Sequence, residues 1–434
     1  MNKKLAELKY KLSLSLRRFS QFIYITTNKY CDNFLWESAS SCSFGFIFSF
    51  MPIVLIIFTV MISVLKFSPS VLSIIMDLCD RVAAYYDFRP LVNKLIDIKS
   101  ITIIHVFLAV WVIWMARKLF MSIIQGLKQI FRFQSSRKTF FYQLFSFLTE
   151  FVVVFGFILV ILVTFLFDKF IQIPIFDGLR SILPAIFNKS AENANRIITL
   201  TTYFLFFIFT FYCYRFVSGT KPRMRICLLY SLLSTVAFFI VSFFLGRFMN
   251  VENYNIIYGT IGTLLILLFK VYMFFIIFFW CAEMVYVSQY FDELLVAQLY
   301  VLPSLNLNKT GKKYCDILFS NPQFVELKTS TIKIEAGTFI YKEHETPKEV
   351  FYICSGKVKE SRGDITIVYS KGDFFGDLPP ILHKNYKSNA MATSECELMR
   401  INVKDFLQII KQDYKASTEA VNRLNKFTGE NNIL

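Results

Sequence analysis

Six stretches of the chain are apolar for long enough to cross a bilayer as helices: residues 43–65, 101–122, 144–167, 197–217, 225–247 and 256–287. A span takes about 20 such residues, and it must be helical because the hydrocarbon interior leaves no water to satisfy backbone groups. The first stretch contains no charge, and the fourth, RIITLTTYFLFFIFTFYCYRF, lies between Arg196 and Arg215, which can snorkel to opposite interfaces. With 51 Phe among 434 residues and a mean hydropathy of +0.50, the composition exceeds what the core of a water-soluble domain requires. The expected architecture is therefore an α-helical membrane bundle of six transmembrane helices.

Orientation follows from Lys and Arg in the loops. The N-terminal arm carries seven, the loop between the second and third stretches with its flanks six (Arg117, Lys118, Lys128, Arg132, Arg137, Lys138), and the short loop before the fifth with its flanks four (Arg215, Lys221, Arg223, Arg225). The opposite loops carry five offset by four Asp, then four, then Arg247 alone. Both termini are thus expected in the cytoplasm. The net charge of +16 is read as cytoplasmic loops and lipid headgroup contact rather than nucleic-acid binding. The arm, 1–42, has apolar residues at helical spacing between basic ones; it lacks a signal peptide's continuous apolar run and is expected to lie on the inner leaflet. Two outer-loop segments, 71–88 and 175–187, are amphipathic at the helical period, as interfacial or packing helices are.

After Ser288 the chain becomes polar. Residues 288–320 read as a linker with helical pieces, and STIKIEAGTFIYKE, EVFYICSGKVKE and DITIVYSKGDFF alternate as short strands with Gly-marked turns. An antiparallel β jelly-roll domain over 321–434 is expected, with flanking helices from VKDFLQIIKQ and KASTEAVNRLNKF. The nine cysteines are scattered without a C-x-x-C pair, and His105, His344 and His383 form no metal spacing. KTGKK lacks the rest of a P-loop, and the Gly259–Gly262 spacing suits close helix packing. No catalytic constellation is present, so an enzyme is not expected.

Two families are resembled. WVIWMARKLFMSIIQGLKQIF, YRFVSGTKPRMR, YGTIGTLLILLFKVYMFFIIFFWCAEMVYV and the proline-containing SASSCSFGFIFSFMPIVLII are similar to segments of the YihY/BrkB family of inner-membrane proteins, so residues 43–287 are taken as its six-helix domain. The resemblance implies an envelope protein, with translocation of a lipid or small molecule as the leading idea. Lys270 stands where that family has an aromatic residue. A mid-membrane Lys costs about 2.5 to 3.5 kcal/mol on insertion scales, so a wet cavity or an acidic partner, Glu150 or Glu283, is expected. These three define an expected polar path, with a packing ion pair as the plain alternative.

IKIEAGTFIYKEHETPKEVFYICSGKV, GDFFGDL and ECELMRINVKDF resemble the cyclic nucleotide-binding domain family. The resemblance implies a phosphate cassette comprising Gly372, Phe375, Gly376, Asp377, Leu378, Tyr386, Lys387 and Ser388. Asp377 replaces the family's glutamate, and Tyr386, with Lys387 beside it, falls where the family has its phosphate-binding arginine. Pro379 and Pro380 remove N–H donors from the turn. A degenerate cassette is expected, with cyclic nucleotide as the only cofactor to consider, or another anion such as an acidic headgroup held by His383, Lys384 and Lys387. Expected partners are membrane lipids and envelope proteins, with no nucleic acid. Two functions stand: regulated translocation of a lipid or amphipathic substrate, and a non-transporting envelope scaffold or sensor that docks through its C-terminal domain.

Overall fold

The computed structural model describes residues 2–46, 48, 114, 118–119, 121–132, 200, 203–248, 260–304, 315, 317–319, 330–362 and 365–430. These residues fall into two compact units, one of Met1–Asn28 with Val287–Leu434, the other of Lys29–Tyr286.

The Lys29–Tyr286 unit is helical. After α1 (Asn2–Asp32), Phe34 takes a left-handed conformation that turns the chain into α2 (35–46). Then come α3 (121–131), α4 (203–212) with a π-turn at Cys213–Val217, α5 (Met224–Phe248) and α6 (Thr260–Gln289). Among the described residues, Met224–Arg247 and Leu265–Gln289 are long and apolar enough to cross a membrane. The described part of the fourth apolar stretch, Tyr203–Val217, is shorter, and the first three stretches lie largely or wholly outside the described residues, as do both outer-loop segments, Glu150 and His105. Six transmembrane helices are therefore an expectation of which two stand in the structure.

Aromatic contacts join α4, α5 and α6: Phe206, Phe238 and Phe274 form a triangle with centroid separations of 5.0 to 5.4 Å. α3 meets α6 so closely that a Cβ on Gly126 would lie 2.4 Å from the Phe279 ring, which is why glycine stands there. In the π-turn, buried Tyr214 donates its hydroxyl to the Phe278 carbonyl at 2.8 Å. α5 leaves Leu229, Leu232, Phe243 and Phe244 exposed, an apolar surface of the kind that lipid covers.

In the other unit, Arg18 of α1 stacks its guanidinium 4.9 Å from the Phe291 ring centroid and donates to the buried Asp292 carboxylate at 3.2 Å. Gln21 donates to the Leu318 carbonyl at 2.8 Å. The expected linker thus holds an ordered helix, α7 (Phe291–Val301). Beyond it lie β1 (Ser330–Ile334), β2 (Phe339–Tyr341), β3 (Glu349–Ser355), β4 (Lys357–Arg362), β5 (Ile365–Ser370), β6 (Phe374–Phe375), α8 (Leu378–Ile381), β7 (Asn389–Ala392), β8 (Cys396–Asn402), α9 (Val403–Gln412) and α10 (Tyr414–Glu430). The strands form two antiparallel sheets in the orders β1-β8-β3-β6 and β2-β7-β4-β5.

Alternation places Phe351, Ile353, Val358, Leu398, Ala390 and Ala392 between the sheets, as a two-layer β core requires. The β3–β4 turn depends on Gly356, at φ +92°, where a Cβ would meet the Glu395 carbonyl oxygen at 2.5 Å. α9 begins on Asn402, whose side chain accepts from the Lys404 N–H, and buries Phe406, Ile409 and Ile410.

Candidate functional site: a cassette filled from within

The cassette lies between β6 and β7. Gly372 and Gly376 both have left-handed backbones, φ +97° and +70°, which fit glycine at these turns. Gly372 donates its N–H to the Ile353 carbonyl at 2.9 Å, and Phe375 is fully buried in the β core. Leu378 opens α8 and is also buried. Two of that helix's four residues are Pro379 and Pro380, so it offers few N–H groups to an anion.

Asp377, 3% exposed, does not face an open site. Its Oδ2 accepts from the Tyr300 hydroxyl of α7 at 2.8 Å and from Nη1 of Arg423 of α10 at 2.9 Å. Arg423 also donates Nη2 to the Phe374 carbonyl at 2.8 Å, and its guanidinium lies 5.0 Å from the Tyr300 ring centroid. Burial works against the Arg423 charge, but Asp377 more than offsets this and raises its pKa. The carboxylate expected at a ligand is the centre of a latch joining α7, the cassette and α10.

Tyr386 takes the arginine position and fills it. Its ring, 3% exposed, stacks on Tyr341 with centroids 3.8 Å apart and planes 7° from parallel, and its hydroxyl donates to the Glu349 carbonyl at 3.2 Å. Ser388 donates its hydroxyl to Glu360, which also accepts from Tyr341 at 2.8 Å and Tyr369 at 2.9 Å. An internal carboxylate thus gathers three hydroxyls beside the cassette. A pocket partly open to solvent remains beside the cassette, lined in part by Glu360, Asp377, Lys384, Lys387 and Ser388. Lys387 is half-buried, while His383 and Lys384 are exposed.

Sequence reasoning located this loop but missed Tyr300, Tyr341, Glu360, Tyr369 and Arg423. Only Glu360 had a local signal: in β4 it shares strand parity with the buried Val358, an inward position for a charged residue.

Of the expected polar path, Glu150 lies outside the described residues. Lys270 and Glu283 lie 13 residues apart on one helix, about 20 Å along its axis, and cannot pair. Glu283 instead accepts from Asn33 at 3.2 Å, and Lys270 is half-buried.

Together these features define a helical protein of membrane type that bears a β-sandwich of the cyclic nucleotide-binding type. The family model described as virulence factor BrkB matches residues 27–297, and that of the cyclic nucleotide-binding domain matches 331–413. The first match spans more than half of the chain, which belongs to the BrkB family, a membrane family. No curated protein matches the chain.

Among solved structures, the Thermus thermophilus catabolite activator protein is 18% identical, with 24% of this chain and 52% of that chain covered and a TM-score of 0.22. This chain therefore spans about half the length of that protein. The sensor domain of the transcriptional regulator DNR from Pseudomonas aeruginosa is 17% identical, with coverage of 31% and 96% and a TM-score of 0.23. At such TM-scores neither likeness carries weight beside the strand order and the family match.

The buried tyrosines make stability depend on alkaline pH. Burial first, then the Asp377 carboxylate for Tyr300 and Glu360 for Tyr341, Tyr369 and Tyr386, pushes these phenols above their ordinary range. The unfolded chain releases these protons near pH 10 and the folded chain holds them, so their contribution is complete below about pH 10 and lost as pH rises beyond it. Each tyrosine that stays protonated in the folded chain costs about 1.4 kcal/mol of stability per pH unit there. The urea midpoint of the β-sandwich, followed by near-ultraviolet circular dichroism, is expected to be level to about pH 9 and to fall steeply by about pH 11. A midpoint unchanged over that interval contradicts the assignment.

Proposed function

We propose that this chain is a multi-pass protein of a bacterial inner membrane, both termini cytoplasmic, that moves a lipid or amphipathic molecule, and that its C-terminal domain controls it by docking rather than by binding cyclic nucleotide. The observation carrying this reading is the filled cassette. Tyr386 and Glu360 complete the site internally, and Asp377 is held by Tyr300 of α7 and Arg423 of α10. α7 begins two residues after α6 ends, so the latched cassette grips the segment through which the chain continues from its last apolar helix. Membership in a membrane family and the apolar surface of α5 support the membrane role. In this reading the activity is non-enzymatic, the partners are lipids and envelope proteins, nucleic acid is not a ligand, and the exposed basic loop at His383 and Lys384 meets anionic headgroups.

The test is movement of a fluorescent phospholipid between leaflets of vesicles containing the full-length protein. Lipid is expected to exchange faster than in protein-free vesicles, at a rate unchanged by millimolar cyclic AMP or cyclic GMP. Exchange no faster than in protein-free vesicles rejects translocation. A rate altered by either nucleotide rejects the closed cassette.

A further inference from the structure

The cassette does not account for a second buried acid. Glu283 in α6 is wholly shielded from solvent, its Oε2 accepts a single hydrogen bond, from Asn33, and its Oε1 has no hydrogen-bond partner. An ionised carboxylate has about four acceptor sites. Burying it with one filled leaves most of its hydration unreplaced.

The charged groups within electrostatic reach are Lys29 and Asp32 at the end of α1 and Arg132 just after α3. Lys29 is itself 8% exposed. On α6 itself, Cys281 and Tyr286 are the titratable neighbours in sequence. With Glu283 ionised, these two cations and two anions balance; with Glu283 protonated, the cluster carries one positive charge. Asp32 is exposed, so the buried acid has a carboxylate neighbour in contact with water.

We propose that Glu283 is a proton-exchanging site of the helical unit, taking up and releasing one proton. The step is simple: the carboxyl O–H breaks, the electron pair stays on Glu283, and the proton is accepted by solvent water. Coupling of this exchange to substrate movement rests on the translocation reading above; the proton site itself does not.

The test is pH-difference infrared spectroscopy of the full-length protein in vesicles, with fluorescent phospholipid exchange measured in the same preparation. A protonated-carboxyl band is expected to grow as pH falls and to be absent in Glu283→Gln. Asn33→Leu, which removes the one donor to the carboxylate, is expected to move the band's midpoint up by about one pH unit. A titration with no band lost in Glu283→Gln overturns the proposal. Should that variant fail to assemble, a midpoint unchanged by Asn33→Leu overturns it equally. Lipid exchange without the Glu283 band removes the proton and leaves translocation standing; the band without lipid exchange does the reverse.

Discussion

Arg423→Ala is expected to lower the stability of the β-sandwich and its helices by about 3 to 5 kcal/mol, read as a fall in the urea midpoint of the full-length protein. The side chains of Arg423 and Asp377 are 19% and 4% exposed, so removing the arginine strands a carboxylate where water cannot solvate it. Tyr300 still donates one hydrogen bond, which cannot replace a counter-charge. The loss should be specific to the stranded charge. Combining Arg423→Met with Asp377→Asn removes both charges, keeps an acceptor for Tyr300, and should recover most of the stability. If Arg423→Ala alone costs under about 0.5 kcal/mol, the pair is an ordinary surface contact and the latch is wrong.

Glu360→Leu should be nearly as severe, at about 3 kcal/mol or more. Leucine fills much of the same volume, so the cost is that of three hydroxyls, on Tyr341, Tyr369 and Ser388, left without their acceptor at about 1 to 3 kcal/mol for each fully buried group. Because the orphaned donors are the cause, Tyr341→Phe and Tyr369→Phe in the same chain should restore part of the loss. Comparing the single and triple variants by urea unfolding decides the matter: a triple variant no more stable than Glu360→Leu shows that the hydroxyls do not depend on that carboxylate.

Both predictions turn on residues that local pattern could not expose. Strand alternation identifies β3, β4 and β5, and turn glycines mark their ends, because period and turn chemistry are local properties. The cassette loop was legible through its resemblance to the cyclic nucleotide-binding family, which also sets Tyr386 at the arginine position. The destination of the Tyr386 ring was not legible, since stacking on Tyr341 requires β2 and the segment preceding β7 to be brought together. A direct Lys270–Glu283 pair fails for a related reason: one straight helix keeps the two about 20 Å apart.

The sequence alone determined that this chain carries membrane-length apolar helices and a separate strand-rich domain, because bilayer thickness and the pleat of a strand impose periods readable along the chain. The family resemblance places Tyr386 where the phosphate-binding arginine would stand. Only the tertiary structure decided what fills the vacancy. Asp377 meets Tyr300 across 77 residues and Arg423 across 46, and Glu283 meets Asn33 across 250. A hydrogen bond over such separations depends on how whole elements pack, and packing depends on surface complementarity, which has no period along the chain.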